Sequence, residues 1–134
     1  MYDVLRYWET ADAVPDRPAV MVDFARIWQA ADKVVYSKSL ASVSTKRTRI
    51  ERSFDPQAVR QMKESAPGDL TIGGPELAAQ AIEAGLVDEF QIYLTPIILG
   101  GGKHWLPKDA RVKLELLDER RFRNGTVFLR YRTL

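Results

Sequence analysis

Residues 69–106 read DLTIGGPELAAQAIEAGLVDEFQIYLTPIILGGGKHWL, and their reading decides the fold. Leu70, Thr71 and Ile72 form a short apolar run that predicts a strand ending at Gly73-Gly74. Pro75 suits the first position of a helix, and Leu77, Ala78, Ala81 and Ile82 then recur at helical spacing. Gly85 stands where a left-handed residue would end that helix, with Leu86 as its hydrophobic companion. From Asp88 the period changes to two. Phe90, Ile92 and Leu94 alternate with Glu89, Gln91 and Tyr93, and the run continues through Pro96-Ile97-Ile98-Leu99 to Gly100-Gly101-Gly102. The stretch is one strand–helix–strand unit with a glycine pair at its first corner.

That corner has a chemical reading. A helix start leaves backbone N–H groups unpaired at the positive end of its dipole, and glycines before it let a phosphate approach the backbone. An isolated Gly-Gly is more often a tight turn needing positive φ. The remainder of the stretch raises the phosphate reading, because it resembles the reductase domain at the C-terminal end of the bifunctional riboflavin-biosynthesis deaminase/reductase. It resembles still more the stand-alone relatives of that domain. The most specific pieces are the glycine pair, Gly85-Leu86-Val87-Asp88-Glu89, and Thr95 to Gly102, and the similarity runs from Met1 to about Tyr131.

The resemblance implies a single α/β domain over residues 1–134 with the dihydrofolate reductase-like fold: a mixed, mostly parallel sheet flanked by helices, ending in an antiparallel hairpin. It implies NADPH as cofactor. Gly73 and Gly74, with Pro75 and Glu76 in the first helical turn, would hold the pyrophosphate, and Ser37, Lys38 and Ser39 the 2′-phosphate. Thr95, in Tyr93-Leu94-Thr95, matches a threonine that faces the substrate. The implied activity is an NADPH-dependent reduction of a small heterocycle, like the 5-amino-6-(5-phosphoribosylamino)uracil reductase step of riboflavin biosynthesis. No residue is singled out as proton donor. Family members commonly carry Gly-Arg-Arg before a segment like Met1–Leu5. On that ground the chain is expected to begin inside a helix, to lack the N-terminal strand and much of the substrate pocket, and to turn over little.

Composition bounds the alternatives. The chain has 134 residues, 46% of them apolar, enough for one core. No apolar run reaches the roughly eighteen residues that mark a membrane helix, and no signal-peptide pattern opens the chain. There are no cysteines, which excludes disulfides and thiol chemistry and fits a cytoplasmic protein. A net charge of +2, without a basic–aromatic stripe, argues against nucleic acid as partner. His104 is the sole histidine, so no metal site is expected, and it is read as a structural or surface residue. A second function class stays open, a nucleotide-binding protein of the same fold without turnover.

The flanking segments read as follows. Met1–Trp8 has helical spacing, and residues 18–31 form a helix that Asp16 would cap, with Val20, Phe24, Ile27, Trp28 and Ala31 on one face. Lys33–Ser37 is a strand, and Arg47–Arg52 an edge strand whose basic residues are solvated. Hydroxyls beside a lysine at residues 37–39 follow a strand's carboxyl end, where α/β sheets bind ligands. Asp55-Pro56 starts a helix that runs to about Ser65. Beyond the glycines, Val112, Leu114 and Leu116 alternate with charged residues, Arg123-Asn124-Gly125-Thr126 signals a turn, and Val127, Leu129 and Tyr131 alternate again. Exposed aromatics such as Trp105 and Phe122 leave apolar surface to cover, so a homodimer is expected.

Overall fold

The computed structural model describes every residue except Trp105. The chain divides into two compact units, Met1–Phe54 and Asp55–Leu134.

The first unit begins with helix α1 (Tyr2–Leu5), which tightens into 3₁₀ turns at Arg6–Glu9 and Ala11–Ala13. The continuous helix expected over Met1–Trp8 is therefore cut at Leu5. Edge-to-face contacts of Trp8 with Tyr7 (5.2 Å) and Phe24 (4.6 Å) hold the tighter turn. Gln29 secures its end, donating to the carbonyls of Trp8 and Glu9 and to Asp12 Oδ1. Helix α2 (Ala19–Ala30) follows. Asp16 does not cap it: Arg17 and Pro18 intervene, Pro18 occupies the N-cap, and Asp16 has φ +58° in the preceding turn. The buried centre of α2 is Ala25, whereas Val20 and Ile27 are exposed, so the apolar stripe of the sequence is only partly covered.

Strand β1 (Lys33–Tyr36) pairs in parallel with β2 (Thr48–Glu51), Val35 opposite Ile50. The basic residues around β2 are engaged: Arg47 with Asp32 at 2.9 Å and Arg49 with Glu51 at 3.1 Å. These exposed pairs hold position more than they stabilise.

In the second unit, α3 (Pro56–Ser65) starts as the sequence predicts. Asp55 Oδ1 accepts the Gln57 N–H at 2.9 Å, and Pro56 fills the first turn. Helix α4 (Pro75–Glu83) buries Ala81 and Ile82 and ends in a full Schellman motif. Gly85 lies at φ +65°, its N–H bonds the Ile82 carbonyl, the Leu86 N–H bonds that of Ala81, and Leu86 is buried. Lys63 of α3 ties this end down, donating to the Leu86 carbonyl (2.8 Å) and Asp88 Oδ2 (2.6 Å).

Strands β3 (Glu89–Leu94), β4 (Leu114–Arg121) and β5 (Val127–Thr133) form an antiparallel sheet in the order β3-β5-β4. The turn joining β4 to β5 is closed by reciprocal bonds between Phe122 and residues Gly125 and Thr126, with Gly125 at φ +86°. Asn124 Oδ1 accepts the Thr126 N–H at 3.1 Å. A register shift between Leu116 and Asp118 bends β4.

Two expectations are corrected. Parallel pairing is confined to β1-β2, so the sheet content is mixed but not mostly parallel. Among the described residues, Leu70–Ile72 forms no strand: it is in neither sheet, and a strand exists only through its partner. Among the described residues, no helix is long and apolar enough to cross a membrane.

Candidate functional site

Gly73-Gly74-Pro75-Glu76 lie together at the start of α4, as the sequence predicts. Gly74 is the N-cap, at φ +95°, ψ +120°, a conformation closed to residues with a Cβ. Its carbonyl accepts the Ala78 N–H at 2.9 Å. No side chain caps the helix. Pro75 has no N–H to offer, so the first-turn donors of this helix are the N–H groups of Glu76 and Leu77. The corner thus presents backbone donors at the positive end of the helix, and Gly74 itself adds no side chain to it. That is a fit for an anionic oxygen.

Glu76 adds a carboxylate to the same turn, and Lys103 neutralises it through a short ion pair. The hydrogen bond from Lys103 holds the Glu76 carboxyl below the usual carboxylate range. Lys103 follows Gly100-Gly101-Gly102, whose positive φ values at Gly100 (+71°) and Gly102 (+143°) turn the chain back. Sequence reading passed over Lys103. Its only local signal is a lysine directly after a glycine run.

Thr95 follows β3 and is exposed, and its carbonyl accepts the Ile97 N–H at 2.8 Å in a tight turn. His104 is exposed.

Ser37, Lys38 and Ser39 belong to the first unit and follow the carboxyl end of β1. Ser37 prolongs the parallel ladder, its N–H bonding the Glu51 carbonyl at 3.0 Å. Its Oγ accepts the Leu40 N–H at 3.1 Å, making a closed turn. Lys38 and Ser39 are exposed at the tip. Arg52, which the sequence reading assigned to a solvated edge, bridges the turn instead: one guanidinium nitrogen donates to the carbonyls of Ser37 (3.0 Å) and Leu40 (2.6 Å). The turn therefore combines a lysine, two hydroxyls and a fixed guanidinium, donors suited to a phosphate.

A cavity of ≈ 390 Å³ lies beside α4 and β3, lined by Ile72, Ala78 and Ile82 on the helix side and by residues 89–94 on the strand side.

Three comparisons bear on these features. The structure resembles that of a protein of Shewanella sp. PV-4 described as a putative riboflavin biosynthesis protein, with TM-score 0.67 at 15% identity, covering 91% of this chain and 85% of that one. It resembles a pyrimidine reductase-like protein of Corynebacterium diphtheriae, with TM-score 0.51 at 20% identity over 90% of this chain and 47% of that one. At such identities the likeness speaks for the fold. In sequence, the chain is 31% identical over 111 residues to the uncharacterized Bacillus subtilis protein YyaP, covering 74% of this chain but only 57% of that protein's length. Residues 9–128 match the family model of the RibD C-terminal domain. With that match spanning most of its length, the chain belongs to the RibD C-terminal domain family.

Proposed function

We propose that this chain acts as an NADPH-dependent reductase of a small heterocyclic substrate, in the manner of the pyrimidine reductase step of riboflavin biosynthesis. The observation that carries this reading is the uncapped, glycine-opened start of α4 in a chain of the RibD C-terminal family. When bound, the dinucleotide supplies the hydride, and the protein's own residues position it and exclude competing reactions. In this reading Gly74 and the Glu76 and Leu77 N–H groups receive the pyrophosphate. Lys103 offsets the Glu76 carboxylate so that the corner does not repel an anion. The turn at Ser37, Lys38 and Ser39, braced by Arg52, takes the 2′-phosphate that separates NADPH from NADH. Thr95 faces the substrate. The reading further places the protein in the cytoplasm and pairs it with a second copy, for which the exposed Phe122 and Leu94 offer apolar surface.

The test is a fluorescence titration with NADPH and NADH, followed by NADPH oxidation with candidate aminopyrimidines. Tighter NADPH binding with substrate-dependent oxidation is the expected result. Binding without turnover for any heterocycle would favour a nucleotide-binding protein of this fold, and equal affinities for the two dinucleotides would remove the 2′-phosphate assignment.

A further inference from the structure

Asn124 is the chain's single asparagine, and a glycine follows it. The two residues form the tip of the β4–β5 hairpin, beyond the last ladder pair, Arg121 with Val127. Gly125 takes left-handed backbone there, at φ +86°, as the turn requires. The same dipeptide carries a reaction of its own. The side-chain amide carbon of an asparagine is an electrophile, and the backbone nitrogen of the next residue is a nucleophile close beside it. A side chain on that next residue obstructs the approach, and glycine has none.

The Asn124 side chain is folded toward this encounter. Its Oδ1 accepts the Thr126 N–H at 3.1 Å. A bond to the N–H two residues on wraps the side chain around the intervening peptide, whose nitrogen belongs to Gly125. Arg123, Asn124 and Gly125 are exposed, so water reaches the turn. One bond opposes the reaction: the Gly125 N–H donates to the Phe122 carbonyl at 3.0 Å. In an exposed turn such a bond has little net worth and opens locally. The surroundings leave the turn little slack. Thr126 is buried, its carbonyl accepts the Phe122 N–H at 2.9 Å, and a Cβ on Gly125 would stand 3.2 Å from Pro96 Cγ.

We propose that Asn124 is a site of spontaneous covalent modification, converting through a cyclic imide to a mixture of aspartate and isoaspartate. The Gly125 nitrogen gives its proton to water and bonds to the Asn124 Cγ, the Cγ–Nδ2 bond breaks, and ammonia leaves. Water then opens the imide. Attack at Cγ breaks its new bond to the Gly125 nitrogen and yields aspartate. Attack at the Asn124 backbone carbonyl carbon breaks the original peptide bond, so the chain now runs through Cγ as isoaspartate. One water enters, one ammonia departs, and nothing is oxidised or reduced. Either product adds a negative charge, and isoaspartate also lengthens the backbone by a methylene between the Phe122 and Thr126 partners.

The test incubates the whole chain at mildly alkaline pH, folded in buffer and unfolded in urea. Peptide mass spectrometry then follows the acid formed at position 124, and labelling by an isoaspartate methyltransferase follows the isoaspartate. Conversion in the folded chain should be no more than about tenfold slower than in the unfolded chain, the slowing that one exposed hydrogen bond imposes. Asn124→Ser keeps an acceptor for the Thr126 N–H but has no amide to lose, so it should accumulate no isoaspartate under the same conditions. In the isoaspartate fraction, amide hydrogen exchange should quicken at Phe122 and Gly125, while the α4 amides keep the parental pattern and show that the unit remains folded. Either of two results overturns the proposal. Folded-state conversion slowed by more than about tenfold would mean that the turn shields the amide instead of presenting it. Equal isoaspartate in Asn124→Ser would place the reaction at another residue.

Discussion

Replacing Gly74 with alanine separates the two roles that a glycine can have at a helix start. Gly74 has φ +95° and ψ +120°, outside every region open to an L-residue, so an added Cβ cannot be accommodated without strain. Holding a non-glycine residue in such a region costs about 1–3 kcal/mol. In a chain of this size each kcal/mol lowers Tm by roughly 3–5 °C, so Gly74→Ala should melt several degrees early. Gly85→Ala is the control. It imposes left-handed backbone at φ +65° with open space around the new methyl, at a cost of about 1–2 kcal/mol. The two variants should lose comparable stability. They should part in nucleotide affinity: Gly74→Ala weakens NADPH at least about tenfold, or ~1.4 kcal/mol, because the methyl and the rotated peptide obstruct the donors of the first turn, whereas Gly85→Ala binds normally. Calorimetric melting and fluorescence titration on the same samples supply both numbers. If Gly74→Ala binds NADPH as tightly as the parent, Gly74 is a turn residue only and the phosphate assignment falls.

Arg52→Ala should leave the fold intact but free the carbonyls of Ser37 and Leu40, reducing discrimination between NADPH and NADH in the same titration. Lys63→Met should cost about 1.5–3 kcal/mol in denaturant unfolding, because it strips a charged donor from the Leu86 carbonyl at the end of α4 as well as from Asp88. Hydrogen bonds from Arg130 to Glu89 and from Lys103 to Glu76 hold both carboxyls below their ordinary values. Their contribution is thus present above the unfolded carboxylate pKa of about 4.3 and is lost as pH falls through the lower folded values. The urea midpoint should drop on acidification, and Glu89→Gln should flatten that dependence.

What was legible in the sequence is what local chemistry decides. Asp55-Pro56 and the Gly85-Leu86 stop each carry their own signal within a few residues, and α3 begins and α4 ends where those signals stand. The Asn124-Gly125 turn is equally local, and it sets the hairpin register that aligns Val127 with Arg121. Legibility failed where a distant group decides. Asp16 looked like a cap because the residue type is right, but two residues separate it from the helix. Arg52 looked like a solvated edge charge, and nothing within its own segment announces that its guanidinium reaches back fifteen residues to the Ser37 carbonyl. Lys103 is illegible for the same reason, its partner being twenty-seven residues away on α4.

The Leu70–Ile72 stretch shows why pattern alone overstates a sheet. Its composition suits a strand, and Val34-Val35-Tyr36 suits one no better, yet only the latter has a partner whose register supplies hydrogen bonds. β-propensity reports fitness for a pleated, half-buried surface, whereas the strand itself depends on a second backbone.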